Sequence, residues 1–135
     1  HIDLIHELDY VYWLFGTPTH TRSFFSNRSF LDITAYDYAN YLWEYVDFQV
    51  SVVLNYYRRD SKRTLEILTD EGTYLVDLLK NNIWYNDEII FESGQRMLQT
   101  YTTQMHFFIE EILSKQIKFN TIVEGYKVLQ LCLQG

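Results

Sequence analysis

The apolar residues of this chain change their repeat twice, and that change limits the fold more than any single residue does. In the opening HIDLIHELDYVYWLFG, Ile2, Ile5, Leu8, Tyr12 and Phe15 recur every three or four positions, the repeat of an α-helix with one buried stripe. Gly16 and Pro18 supply the stop, because glycine accepts the conformation that closes a helix and proline cannot continue one. The repeat then shortens toward two. Past Gly94 it lengthens again: Met97, Tyr101, Met105, Phe108, Ile109 and Ile112 predict a helix from Arg96 to Ser114, and a last one runs from Thr121 to Leu133. A helix, a block of strands and two further helices is the segregated order of an α+β domain; parallel α/β folds alternate instead.

Within the middle block, THTRSFFSN reads as a strand and RSFLDITAY, without a clean period, as a loop. From Asp37 to Tyr45 the chain puts Tyr41, Trp43 and Tyr45 on one side and Tyr38 and Leu42 on the other. Gln49 to Tyr57 alternates in the same way, so the two form a hairpin across VDF. Leu65–Leu68 and Tyr74–Leu78 flank Asp70, Glu71 and Gly72, the strongest hairpin signal present, with glycine expected to supply a positive φ. NNIWYNDEIIFES adds short strands, turning at Asn81 with Asn82 and at Asn86 with Asp87. The expectation is an open, mainly antiparallel sheet in two layers, with helices on one face. The other face would expose residues such as Tyr41, Trp43, Val53 or their alternates, a patch that calls for a second domain or subunit. Twelve Tyr and nine Phe exceed what one small core needs, and aromatic residues favour interface centres.

Composition narrows the function classes. A chain of 135 residues with five Gly and one Pro offers one core and no linker, so residues 1–135 are expected to form a single domain. A net charge of −7 argues against nucleic acid, whose affinity comes from clustered Lys and Arg. The basic run RRDSKR, Arg58 to Arg63, reads most simply as a solvated turn; the other reading is contact with a phosphate or carboxylate. Cys132 is the single cysteine, which excludes an intramolecular disulfide and fits a small buried residue in a reducing cytoplasm. No stretch approaches the roughly 20 apolar residues of a membrane span, so neither a membrane partner nor a site outside the cytoplasm is expected.

The sequence has no G-x-G-x-x-G, no P-loop, no paired Cys, no H-E-x-x-H and no G-x-S-x-G. HELDY starts like a zincin motif, but Tyr10 stands where the second His is required. What remains is Asp3, His6 and Tyr10, spaced three and four apart along one helical stripe. An imidazole between a carboxylate and a phenol can pass a proton near neutral pH. The plainer reading is a wet helix face with Asp3 near the positive end of the dipole, and spacing alone favours it.

DLIHELDYVYWLFGTP and, farther along, VVLNYYRRDSKRTLEILTDEGTYLVDLLKNN resemble the C-terminal domain of the Gfo/Idh/MocA oxidoreductases, the family of glucose-fructose oxidoreductase and inositol dehydrogenase. The resemblance runs through nearly the whole chain and is most specific in HELDYVYWLFG and KRTLEILTDEGT. It implies an N-terminal Rossmann domain that holds NAD or NADP, with no cofactor held by the present chain. This chain would be the substrate-binding and oligomerisation domain, forming a homodimer or homotetramer through its sheet face. The family pairs a lysine of an E-K-P motif in the first domain with an aspartate and a histidine at the start of the second. Those positions match Asp3 and His6, which makes His6 the acid/base group and gives Asp3 a role in binding substrate or orienting His6. Tyr10 shares their stripe, and Arg58, Arg59 or Arg63 would meet a substrate phosphate or carboxylate. Many members write D-x-G-x-H where this chain has D-x-x-H, so Asp3 matches less closely than His6. The implied reaction is hydride exchange between a sugar, nucleotide-sugar or cyclitol hydroxyl and a nicotinamide, with the isolated chain inactive. The alternative is a non-catalytic oligomerisation or ligand-binding module.

Overall fold

The period-two segments form antiparallel strands, as expected, and divide between two sheets that belong to an α+β fold. The computed structural model describes residues 2–95, 97–114 and 120–134; Arg96, the expected first residue of the second helix, lies outside them. The chain splits into two compact units, His1–Arg58 with Ile117–Gly135, and Arg59–Gln116.

In the first unit, β1 (His20–Ser26), β2 (Tyr38–Glu44) and β3 (Gln49–Asn55) make a sheet with β2 in the centre. The register sets Ala39 opposite Phe25 and Leu54, Tyr41 opposite Ser23 and Val52, and Trp43 opposite Thr21 and Val50. Opposed residues share a face, and this face is the inner one. Two helices, α1 (Ile5–Phe15) and α3 (Ile122–Leu133), supply Leu8, Val11, Val128 and Cys132 to the same core. Tyr41 and Trp43, which the alternation allowed on either face, are therefore fully buried. Their alternates face the other way, where Phe24 and Val53 are 67% and 52% exposed. The period of two put apolar side chains on both faces of β2, and the core contacts of α1 and α3 decide which face is covered.

Buried polar groups hold this unit in register. The Tyr41 hydroxyl donates to the Cys132 carbonyl at 3.1 Å, one of the last four carbonyls of α3 that lack a partner within the helix. Burial, reinforced by the contact with Cys132, raises the Tyr41 pKa. The loop between β1 and β2 is organised by buried Asp37, whose carboxylate accepts the N–H groups of Ser29 at 2.7 Å and Arg28 at 3.1 Å. The hydrogen bonds from Ser29, then the one from Arg28, keep the Asp37 pKa below its ordinary value. At the next turn Tyr45 stacks on Phe48 at 4.5 Å, and Phe15 of α1 meets Phe48 edge-on at 5.4 Å.

The helix ends follow local chemistry. A 3-10 turn, Ile2–Leu4, precedes α1, and Leu4 at its N-cap offers no side-chain cap. Gly16 closes α1 with φ 75° and ψ −156° while its N–H donates to the Tyr12 carbonyl at 2.7 Å, a backbone region that is essentially glycine's alone. At the start of α3, Thr121 and Glu124 form a capping box: Thr121 N–H donates to Glu124 Oε2 at 2.7 Å, and Glu124 N–H to Thr121 Oγ1 at 3.2 Å.

The second unit is a meander, β4 (Thr64–Leu68), β5 (Thr73–Asp77), β6 (Asn82–Tyr85) and β7 (Glu88–Glu92), followed by α2 (Met97–Ser114). Leu98, Tyr101, Met105 and Phe108 of α2 are exposed. The β4–β5 hairpin falls at the expected place, but Gly72 does not carry a positive φ; Asn81 (56°) and Asn86 (51°) do, at the two following turns. Gly72 is required for room. A Cβ there would lie 2.7 Å from the Tyr85 ring, which the Tyr85 hydroxyl fixes by donating to the Glu71 carbonyl at 2.8 Å. Gly72→Ala should therefore cost about 1–3 kcal/mol through overpacking. In a Tyr85→Leu background the same change should cost much less, and urea denaturation of the four proteins in that double-mutant cycle checks it. An equal cost in both backgrounds would refute the steric account.

Candidate functional site

Four of the residues singled out from the sequence lie in the first unit. Asp3 sits in the 3-10 turn, exposed, and its Oδ2 accepts the Tyr56 hydroxyl at 3.2 Å. Tyr56 follows β3, and its N–H donates to the Asp37 carbonyl at 2.9 Å. The end of the third strand thus delivers a phenol to the start of the first helix. Burial, followed by the negative charge of Asp3 and their hydrogen bond, raises the Tyr56 pKa, so the phenol remains a donor at neutral pH.

His6 occupies the first turn of α1 with its side chain 53% exposed, and its Nε2 lies 3.0 Å from Glu7 Oε1. The Glu7 side chain is only 12% exposed, on the side of α1 that carries buried Leu8 and Val11. Tyr10, one turn on, is partly buried against the core. Arg58 is exposed, and its backbone N–H donates to Asn55 Oδ1 at 3.0 Å. No hydrogen bond joins Asp3 directly to His6; each is held by a different neighbour. Arg59 opens the second unit and is exposed, and Arg63 belongs to that unit as well.

Two members of this group, Tyr56 and Glu7, escaped the sequence reading. Tyr56 falls in the alternating run Gln49 to Tyr57, one residue past β3. Glu7 adjoins His6, and adjacent helical residues do not ordinarily share a face. The only advance signal for either was its charge or hydroxyl beside a candidate.

The arrangement suits proton transfer and the grip of a hydroxyl-bearing ligand: an accessible imidazole against a shielded carboxylate, next to a carboxylate held by a phenol. Among the described residues no group of three or more His, Cys, Asp and Glu is placed to hold a metal ion. Nor is any described helix long and apolar enough to cross a membrane.

Helices laid over an antiparallel sheet, with ionisable residues gathered where the first helix begins, define an α+β fold. In fold the chain is similar to the UDP-N-acetylglucosamine 3-dehydrogenase GnnA from Acidithiobacillus ferrooxidans, with a TM-score of 0.75 and 22% identity, over 96% of this chain and 42% of that one. The chain therefore spans less than half the length of that dehydrogenase, and at this identity the likeness is one of fold. No protein-family profile and no curated protein sequence matches it.

Proposed function

We propose that this chain is the substrate-binding half-site domain of an NAD(P)-dependent oxidoreductase acting on a hydroxyl of a sugar, nucleotide-sugar or cyclitol. The observation that carries the reading is the fold likeness to a nucleotide-sugar dehydrogenase over 96% of the chain, together with the position of His6 and Asp3 at the start of α1. His6 is the acid/base group that takes the hydroxyl proton, and Asp3, held by Tyr56, binds a neighbouring hydroxyl. Tyr10 lies on the same helix, and Arg58 meets a substrate phosphate or carboxylate. The dinucleotide belongs to a Rossmann domain of the same polypeptide, since this chain contains no glycine-rich loop to approach a pyrophosphate. When bound there, the nicotinamide supplies the hydride acceptor. The outer sheet face, with exposed Phe24 and Val53, is the surface through which subunits pair, and the isolated chain does not catalyse.

The complete polypeptide read from the native gene should carry a G-x-G-x-x-G and an E-K-P lysine before His1, and should reduce NAD or NADP with at least one member of a sugar, nucleotide-sugar and cyclitol panel. A native frame without those motifs, or no reduction across the panel, would replace this reading with that of a non-catalytic module.

A further inference from the structure

We propose that α2 of the second unit is a self-association seam, along which two copies of this chain pair side by side and antiparallel. The contact is separate from the pairing through Phe24 and Val53 described above, and it does not depend on the catalytic reading.

Leu98, Tyr101, Met105, Phe108 and Ile112 follow one another at spacings of three, four, three and four, a repeat of 3.5 residues that keeps one apolar stripe turned toward a neighbouring helix. All five are 47–81% exposed, and from Leu98 to Ser114 only Glu111 is even half-buried. A hydrogen bond that ties α2 to its unit, from Gln95 Nε2 to Thr103 Oγ1 at 3.2 Å, lies on the side of the helix opposite the stripe. A solitary helix of 18 residues is marginal in water. This one holds no alanine and several aromatic and β-branched residues, which lower its propensity further, so it needs a packing partner. The stripe fits a second copy of itself. From Tyr101 onward it alternates aromatic and aliphatic side chains, and an antiparallel two-fold sets Tyr101 against Ile112 and Met105 against Phe108, each pair occurring twice, with a thioether on a ring in the middle layers. Glu110 and Glu111 are the only Asp, Glu, Lys or Arg residues of α2. Antiparallel packing carries them to opposite ends of the pair, whereas parallel packing would gather four carboxylates at one end. Covering the stripe on both copies buries roughly 1,000 Å², the size at which specific interfaces begin.

Sedimentation equilibrium of the chain carrying Val53→Lys, which takes the sheet-face contact out of play, tests the seam. That protein should still be dimeric at micromolar concentration. Adding Met105→Glu sets an unpaired carboxylate into both middle layers and should raise the dimer Kd by about a hundredfold, while Met105→Leu should leave it within about threefold. A Val53→Lys chain that is monomeric up to about 100 μM, or a Kd that Met105→Glu moves less than about threefold while the circular dichroism stays native, would overturn the proposal. The antiparallel order has its own check. Gln104 of one copy flanks Glu111 of the other in that order, so mixing Gln104→Cys chains with Glu111→Cys chains under mild oxidation should give the mixed disulfide in preference to either symmetrical one; Cys132 is fully buried and does not compete. A symmetrical Glu111→Cys product in its place would refute the antiparallel pair. Neither readout involves turnover, so a His6→Ala enzyme of unchanged rate would sink the proposed function and leave the seam standing.

Discussion

On the function proposed above, His6→Ala in the complete polypeptide should lower kcat/KM by about 10²–10⁴-fold, the usual worth of a positioned acid/base group. The size follows from what is lost. Without the imidazole the hydroxyl proton must leave to water as the hydride departs. The loss should fall on kcat more than on KM, because His6 would act in the transition state more than in the bound ground state. His20→Ala is the control. That histidine sits on β1 with its side chain 76% exposed and only a 3.7 Å approach to Glu44, and its removal should leave the rate unchanged. Steady-state kinetics on the three proteins decide the matter; a His6→Ala enzyme within twofold of wild type would remove His6 from the chemistry.

Trp43→Ala should cost about 3–5 kcal/mol, the range for truncating a large buried aromatic. Trp43 is fully buried on the central strand of the first unit, with Thr21 and Val50 as its cross-strand neighbours. Against a total stability on the order of 5–15 kcal/mol for a typical domain, such a loss moves the unfolding midpoint far below that of the wild type. Trp43→Phe should cost far less. The indole Nε1 has no hydrogen-bond partner among the described residues, so the exchange gives up volume but no polar contact. Urea denaturation followed by far-ultraviolet circular dichroism separates the two, and equal midpoints for wild type and Trp43→Ala would contradict this account of the core.

The class of fold was legible because period is a local property. The apolar spacing of residues 2–15 and of the last helix, and the alternation between them, survive any tertiary arrangement. Three things were not local. Tyr38 and Leu42 competed with Tyr41 and Trp43 for the inner face of β2, and only packing against Leu8, Val11 and Val128 settles that. Gly72 was recognised as necessary for the wrong reason, since the ring that needs its space comes from Tyr85, thirteen residues away. The division of the strands into two sheets depends on pairing, which spacing does not encode. The candidate site divides in the same way. Asp3 and His6 stood out as residues of the first turns, whereas Tyr56 reaches Asp3 only because β3 ends beside the start of α1.

The single thiol gives this protein a built-in clock. Cys132 has no exposed surface and is closed in by the Tyr41 hydroxyl, 3.7 Å from its Sγ. A thiol reagent can therefore react only with molecules in which α3 has lifted from β2. When reclosing is faster than modification, the labelling rate measures how often that opening occurs, and its dependence on urea distinguishes a local release of α3 from unfolding of the whole first unit. No probe has to be engineered to time that event.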